Sequence, residues 1–226
     1  MILILLLSIP TVASGLIALT RRRAMAELFH ACSSLATLVL GAIVIGIIWL
    51  TPSAVQWNLL RADSLSAFMI AIVTFVGAIA GIYAVGYMRL EFDEAHFSRV
   101  RLFYALFQLF IFTMLLAVTT DNLGVMWVAI EGTTLATVFL VNLHENGTGL
   151  EAAYKYLILS SVGIALAFMG TVLMYYAAVA QQTEIGLSWT ALIAIASRLD
   201  PSIVKLAFVF ILIGYGTKAG LEPMHT

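Results

Sequence analysis

Charge is scarce in this chain: eleven Lys and Arg and twelve Asp and Glu make 10% of 226 residues, against a hydrophobic content of 62%. Soluble domains carry about 25% charged residues, so this composition excludes an ordinary water-soluble globule and points to an integral membrane protein. The mean hydropathy of +1.06 agrees. A net charge of −1 offers no field for a polyanion, and no basic stripe suits nucleic acid. Cys32 is the single cysteine, which excludes an intrachain disulfide. No CxxC pair or His/Cys cluster supports zinc, haem or an iron–sulfur centre, and GxGxxG, P-loop and GxSxG signatures are absent. We therefore expect no cofactor, metal or catalytic redox site in this chain; any associated redox chemistry belongs to another subunit.

What is present is a series of long apolar runs. Hydropathy predicts seven membrane spans, at about 2–20, 28–50, 64–88, 102–119, 122–143, 153–179 and 203–226. The first resembles a signal peptide, but its positive charges, Arg21, Arg22 and Arg23, follow the apolar stretch instead of preceding it, which favours a transmembrane helix. The segment holding Pro52, Trp57 and Asn58 reads as an interfacial loop, with Trp49 and Trp57 suited to the aromatic belt. Arg21, Arg22, Arg23, Arg89, Arg99 and Arg101 all fall on one side by parity, opposite Arg61 and Arg198. The positive-inside rule then puts the N-terminus on the non-cytoplasmic side of a cell inner (plasma) membrane.

Against this apolar background a few ionisable residues stand out. Glu131 lies about nine residues into the fifth span, roughly 13 Å deep. A carboxylate there costs roughly 2.5–3.5 kcal/mol to insert and marks a functional site by default. The plainer alternative is a neutral, hydrogen-bonded acid that glues two helices. Trp127 and Thr134 share its face at i−4 and i+3. Lys218 lies deep in the seventh span, with snorkelling to the headgroups as its alternative. Lys155 sits near the start of the sixth span, where it could equally snorkel. Lys205 reads as an interfacial anchor. Among the histidines, His96 reads as a solvated loop residue and His144 as a helix-end residue, while His225, after the seventh span, is a relay candidate.

The seventh span meets Gly214, Gly216, Gly220 and Pro223 within ten residues. Glycine costs about 1 kcal/mol and proline about 3 kcal/mol per helical position, so a break is expected near 216–223 with Lys218 inside it. Broken helices at membrane depth line wet cavities and commonly hold ion sites. The chain stops at Thr226 within this segment, as a fragment or truncated product would.

The stretches DNLGVMWVAIEGTTLATVFLV, EAAYKY and KLAFVFILIGYGTKAGLEPMHT resemble the antiporter-like membrane subunits of respiratory complex I and its relatives, and within that superfamily the hydrogenase-4 component F branch. The resemblance is good from about Arg99 onward and weaker in the first three spans. It implies an all-α, polytopic membrane bundle of inverted repeats. Seven helices would be present here, the seventh broken, and the chain would end before the first repeat is complete. Residues 1–98 would form three leading helices and 99–226 part of the translocation module. It also implies that Glu131 is the acid of the fifth helix, Lys218 the central base of the seventh, Lys155 an early lysine of the sixth, and His225 part of the Pro-Met-His-Thr stretch. Glu222 departs from the family, standing where a small or neutral residue is common; at i+4 from Lys218 it could pair with it. The partners implied are protons, lipid, and the other membrane subunits of a complex I-like or hydrogenase complex. Three functions stay open at this point. They are a proton-translocating subunit of a redox-driven complex, an Mrp-type cation/proton antiporter subunit, and a non-transporting structural subunit.

Overall fold

The computed structural model describes residues 1–51, 55–144, 147–181 and 186–221. Among these, seven helices are long and apolar enough to cross a membrane. They are α1 (Ile2–Leu19), α2 (Arg23–Leu50), α3 (Ser64–Glu91), α4 (Phe97–Thr119), α5 (Leu123–Val141), α6 (Gly147–Val179) and, after a short helix α7 (Trp189–Ala194), α8 (Pro201–Ala219). Large apolar side chains such as Phe68, Ile79, Phe139, Leu206 and Phe208 are exposed on their outer faces. In water such faces would drive aggregation; in a bilayer they meet acyl chains. The protein is a multi-pass membrane protein.

All seven spans lie where hydropathy put them, but three begin about five or six residues earlier than expected. α2 starts at Arg23, α4 at Phe97 and α6 at Gly147. The reason is visible at α2. Glu27, buried, takes Arg23 at 3.1 Å and Arg89 of α3 at 2.6 Å. The Arg23 guanidinium also donates to the carbonyls of Phe92 and Met88, both at 2.8 Å. Charges paired in this way stay inside the helix, whereas a hydropathy profile ends the span at them. The Arg-rich ends of α2 and α3 therefore meet.

Between α2 and α3 the expected interfacial loop is a small hairpin, β1 (Val55–Trp57) and β2 (Leu60–Ala62), antiparallel with Gln56 opposite Arg61. Asn58 takes the positive φ of 52° that its turn requires. Asp63 then caps α3, accepting from the N–H groups of Leu65 at 3.1 Å and Ser66 at 3.0 Å. The Ser66 N–H holds the Asp63 carboxyl below its ordinary value, against the opposing effect of burial. A carboxyl lowered in the folded state stabilises fully above its unfolded value and loses that contribution as pH falls through the folded one. Asp63→Ala should cost about 1 kcal/mol, and the gap between thermal melts of the variant and the unmodified protein should begin to narrow only below about pH 4.

The chain divides into two compact units, Met1–Thr119 and Thr120–Thr226. In the first, α1 packs on α2 and α4, and α2 on α3. Leu3, Leu6, Val44, Ile48, Ile70, Val73 and Leu115 form its apolar core. α4 belongs to this first unit. In the second, α6 is the central helix, packing on both α5 and α8.

Candidate functional site

α5 carries Glu131, and two residues at its start fix where it stands. Asn122 caps the helix, accepting from Gly124 N–H at 2.9 Å and Val125 N–H at 3.1 Å. Asp121, buried, ties this end to the start of α7: it accepts from the hydroxyls of its cap Ser188 (2.5 Å) and of Thr190 (2.6 Å). Its carbonyl accepts from Trp189 N–H at 2.6 Å. Further along α5, Trp127 donates from Nε1 to the Ile164 carbonyl of α6 at 2.7 Å. The face bearing Glu131 is thereby held against α6.

α8 brings Lys218. Its approach to α6 depends on missing side chains: a Cβ on Gly214 would lie 2.4 Å from the Ala167 backbone nitrogen. A Cβ on Gly170 would lie 2.8 Å from the Ala207 carbonyl. Close approach through small residues is how membrane helices pack without a hydrophobic driving force. α8 runs unbroken through Gly214 and Gly216 and ends at Gly220, which is left-handed with φ 73°. Leu221 N–H closes the end on the Gly216 carbonyl at 2.9 Å. The helix thus ends within the window expected for a break, with Lys218 in its last helical turn, just before the end at Gly220. Packing on α6 outweighs the helix propensity of two glycines.

The pair predicted from sequence is brought together through an intermediary. Lys218 Nζ donates to Thr134 Oγ1, and the Thr134 hydroxyl donates to Glu131 Oε2 at 3.4 Å. A hydroxyl has one proton and two lone pairs, so both bonds can exist at once. The Lys218 ammonium also lies 5.6 Å from the centre of the Tyr156 ring of α6, within cation–π range. Thr137 spends its proton on the carbonyls of Thr133 (2.8 Å) and Thr134 (3.1 Å). The 2.9 Å contact between Thr137 Oγ1 and Tyr156 OH therefore has Tyr156 as donor. The result is a polar file of acid, hydroxyl and amine, with a tyrosine beside it. Such a file can pass a proton from the lysine to the carboxylate by hydroxyl relay.

Lys155 is not part of this file. It is exposed and paired with Glu151 at 2.6 Å, one turn back on α6. Lys205 is exposed on α8, His96 is exposed in a 3-10 turn (Glu94–His96) that leads into α4, and His144 is exposed just past the end of α5. His225 and Glu222 lie outside the described residues. Sequence reasoning placed Thr134 on the face of Glu131 but missed its bridging role, and it missed Tyr156. It also gave no role to the buried polar group of the first unit. There His30, fully buried, stacks on Tyr104 with ring centroids 4.4 Å apart. Gln108 of α4 lies 3.2 Å from His30 Nδ1 and accepts from Ser33 Oγ at 3.0 Å. Glu27, His30, Ser34 and Thr37 recur every three or four residues, a polar stripe on one face of an apolar helix. That periodicity was the available signal.

Comparison with known proteins identifies the family and the fold. Residues 49–99 match the family model for the N-terminus of chain 5 of NADH-ubiquinone oxidoreductase (complex I). Residues 120–226 match the membrane-spanning model of NADH:quinone oxidoreductase and the Mrp antiporter. The chain is 41% identical over 170 residues to the hydrogenase-4 component F homolog of Methylacidiphilum infernorum, covering 72% of this chain and 35% of that protein. The fold matches a chain of the archaeal membrane-bound sulfane sulfur reductase with a TM-score of 0.83 at 16% identity, over 99% of this chain and 46% of that one. It matches a chain of respiratory complex I from Thermus thermophilus with a TM-score of 0.75 at 23% identity, over 100% of this chain and 45% of that one. The chain belongs to the antiporter-like membrane subunits of complex I-type and Mrp complexes. It spans about a third of the length of the hydrogenase-4 component F homolog it matches.

Proposed function

We propose that this chain forms part of a proton-translocating membrane subunit of a redox-driven complex. The observation that carries the reading is the Thr134 hydroxyl, which joins an amine on α8 to a carboxylate on α5 inside a membrane-spanning unit. Lys218 is the proton carrier, Thr134 the relay, and Glu131 the charge that favours the loaded lysine. Waters complete the path on either side. Electron transfer in a partner subunit shifts the separation of Glu131 and Lys218, so that the lysine takes up a proton in one arrangement and releases it in the other. Lys155 and His225 serve as peripheral relays in the same path. The membrane is the cell inner (plasma) membrane, with the Arg-rich ends of α2 and α3 facing the cytoplasm and the N-terminus outside. Membership of a family that includes complex I and hydrogenase-4 subunits supports other membrane subunits of such an enzyme as partners.

Thr134→Val and Thr134→Ser in the full-length protein test this reading. Valine keeps the shape but removes the relay, and we expect the proton-pumping rate per electron transferred to fall about tenfold, equivalent to about 1.4 kcal/mol on the transfer step. Serine keeps the hydroxyl and should restore most of it. Equal pumping in both variants would reject the relay. An Mrp-type antiporter would use the same residues but draw on an ion gradient, and the matching family description covers both. Proton movement driven by a sodium gradient, with no redox substrate present, would favour that alternative.

A further inference from the structure

We infer that the seam between α2, α3 and α4 in the first unit is a binding site for an ordered water molecule, anchored by Thr37. The polar face of α2 runs inward from Glu27 through His30 and Ser34 to Thr37, roughly 15 Å along the helix. At Thr37 it reaches a cavity of about 10 Å³ lined by Ser34, Thr37, Thr74, Gln108, Gly77 and Ile111. A space of this size holds one water, provided two to four polar groups can bond it.

The bonding inventory supplies them. Thr37 is 2% exposed, and its Oγ1 has no hydrogen-bond partner. Thr74 Oγ1 donates to the Ile70 carbonyl at 2.7 Å, which leaves its oxygen free to accept. Ser34 Oγ donates to the His30 carbonyl at 2.9 Å and accepts from Gln108 Nε2 at 3.2 Å, leaving a lone pair. A water can accept from Thr37 and donate to Thr74 and Ser34. Three of the buried side-chain atoms without a partner among the described residues, on His30, Thr37 and Tyr104, belong to this one seam.

The same inventory fixes the neighbouring histidine. Gln108 Nε2 faces the His30 carbonyl, Ser34 Oγ and His30 Nδ1, each at 3.2 Å, so it is the amide nitrogen; its two protons are shared among these three acceptors, and because it cannot accept, Nδ1 faces it unprotonated. The neutral imidazole then carries its proton on Nε2, which faces the Gly81 backbone without a bond of hydrogen-bonding geometry.

Water fits better than a cation. No carboxylate lines the cavity, and Glu27 is engaged by both Arg23 and Arg89, which leaves the polar end of the seam net positive. Beyond Thr74 the core of Val44, Ile70 and Val73 closes the path. The site is therefore a small polar pocket bordered by this apolar core.

A high-resolution electron cryomicroscopy map of the full-length protein in lipid nanodiscs, assembled in its complex, tests this. We expect a density peak within about 2.7–3.2 Å of Thr37 Oγ1 and of one further lining oxygen. Thr37→Val should lose the peak while ordered waters elsewhere remain, and Thr37→Ser should keep it. A dry cavity in a map that resolves other buried waters would overturn the inference. So would a coordinated ion in its place, or a peak that survives in Thr37→Val. If Thr37→Val fails to assemble, the map of the unmodified protein decides alone.

Discussion

Lys218→Ala in the full-length protein, assembled in its membrane complex, is expected to abolish proton translocation while electron transfer continues at a reduced rate. Among the described residues, the amine is the only basic group that bonds the Thr134 hydroxyl, and α8 packs closely on α6 through Gly214 and Gly170. Truncation leaves Thr134 bonded to Glu131 but with nothing to receive a proton from. Lys218→Arg sharpens the test. Arginine keeps the positive charge and can bond the hydroxyl, yet a guanidinium does not give up its proton in proteins. If Lys218 only balanced the charge of Glu131, the arginine variant would pump; if it carries protons, that variant fails as completely as alanine. The proton-to-electron ratio in proteoliposomes, read with a pH-sensitive dye, separates the two. Glu131→Gln should lower the same ratio, since glutamine keeps hydrogen-bonding capacity but loses the charge.

Gly214→Ala should be the most damaging small substitution away from the polar file. The added Cβ would stand 2.4 Å from the Ala167 backbone nitrogen and 2.7 Å from its Cα. Backbone on a neighbouring helix cannot rotate aside as a flexible side chain can, so α8 must move off α6. Overpacking of this kind costs about 1–3 kcal/mol, and backbone involvement places this case at the upper end. Lys218 lies one turn further along α8, so the displacement also withdraws it from Thr134. We expect a lowered Tm together with reduced pumping, whereas Gly15→Ala, where an added Cβ meets nothing, should change neither. A Gly214→Ala protein with unchanged Tm and pumping would show that the α6–α8 contact does not position the lysine.

The seven spans were legible because apolar runs of this length have one stable fate, a helix in lipid. Their ends were less legible. Arg23, Glu27 and Arg89 look like loop charges one at a time, and only their mutual pairing across α2 and α3 keeps them helical. Glu131 and Lys218 were legible as charges out of place. The link between them was not, since which of Thr133, Thr134 and Thr137 bridges them depends on how α8 lies against α6. The Asp121 tie to Ser188 joins residues 67 apart in sequence and left no local mark. The break in the last helix was read from glycine and proline alone, and α8 shows that packing carries the helix through Gly214 and Gly216 to Gly220.

The central claim is that Lys218 changes its protonation during turnover under the influence of Glu131. Isotope-edited infrared difference spectra of the full-length protein, with labelled lysine and a Lys218→Arg control to assign the band, measure this directly. The account predicts an ammonium-to-amine change at Lys218 on redox turnover, diminished in Glu131→Gln and slowed in Thr134→Val. A lysine that stays in one protonation state throughout turnover would contradict it and leave the pair as a static tie between α5 and α8.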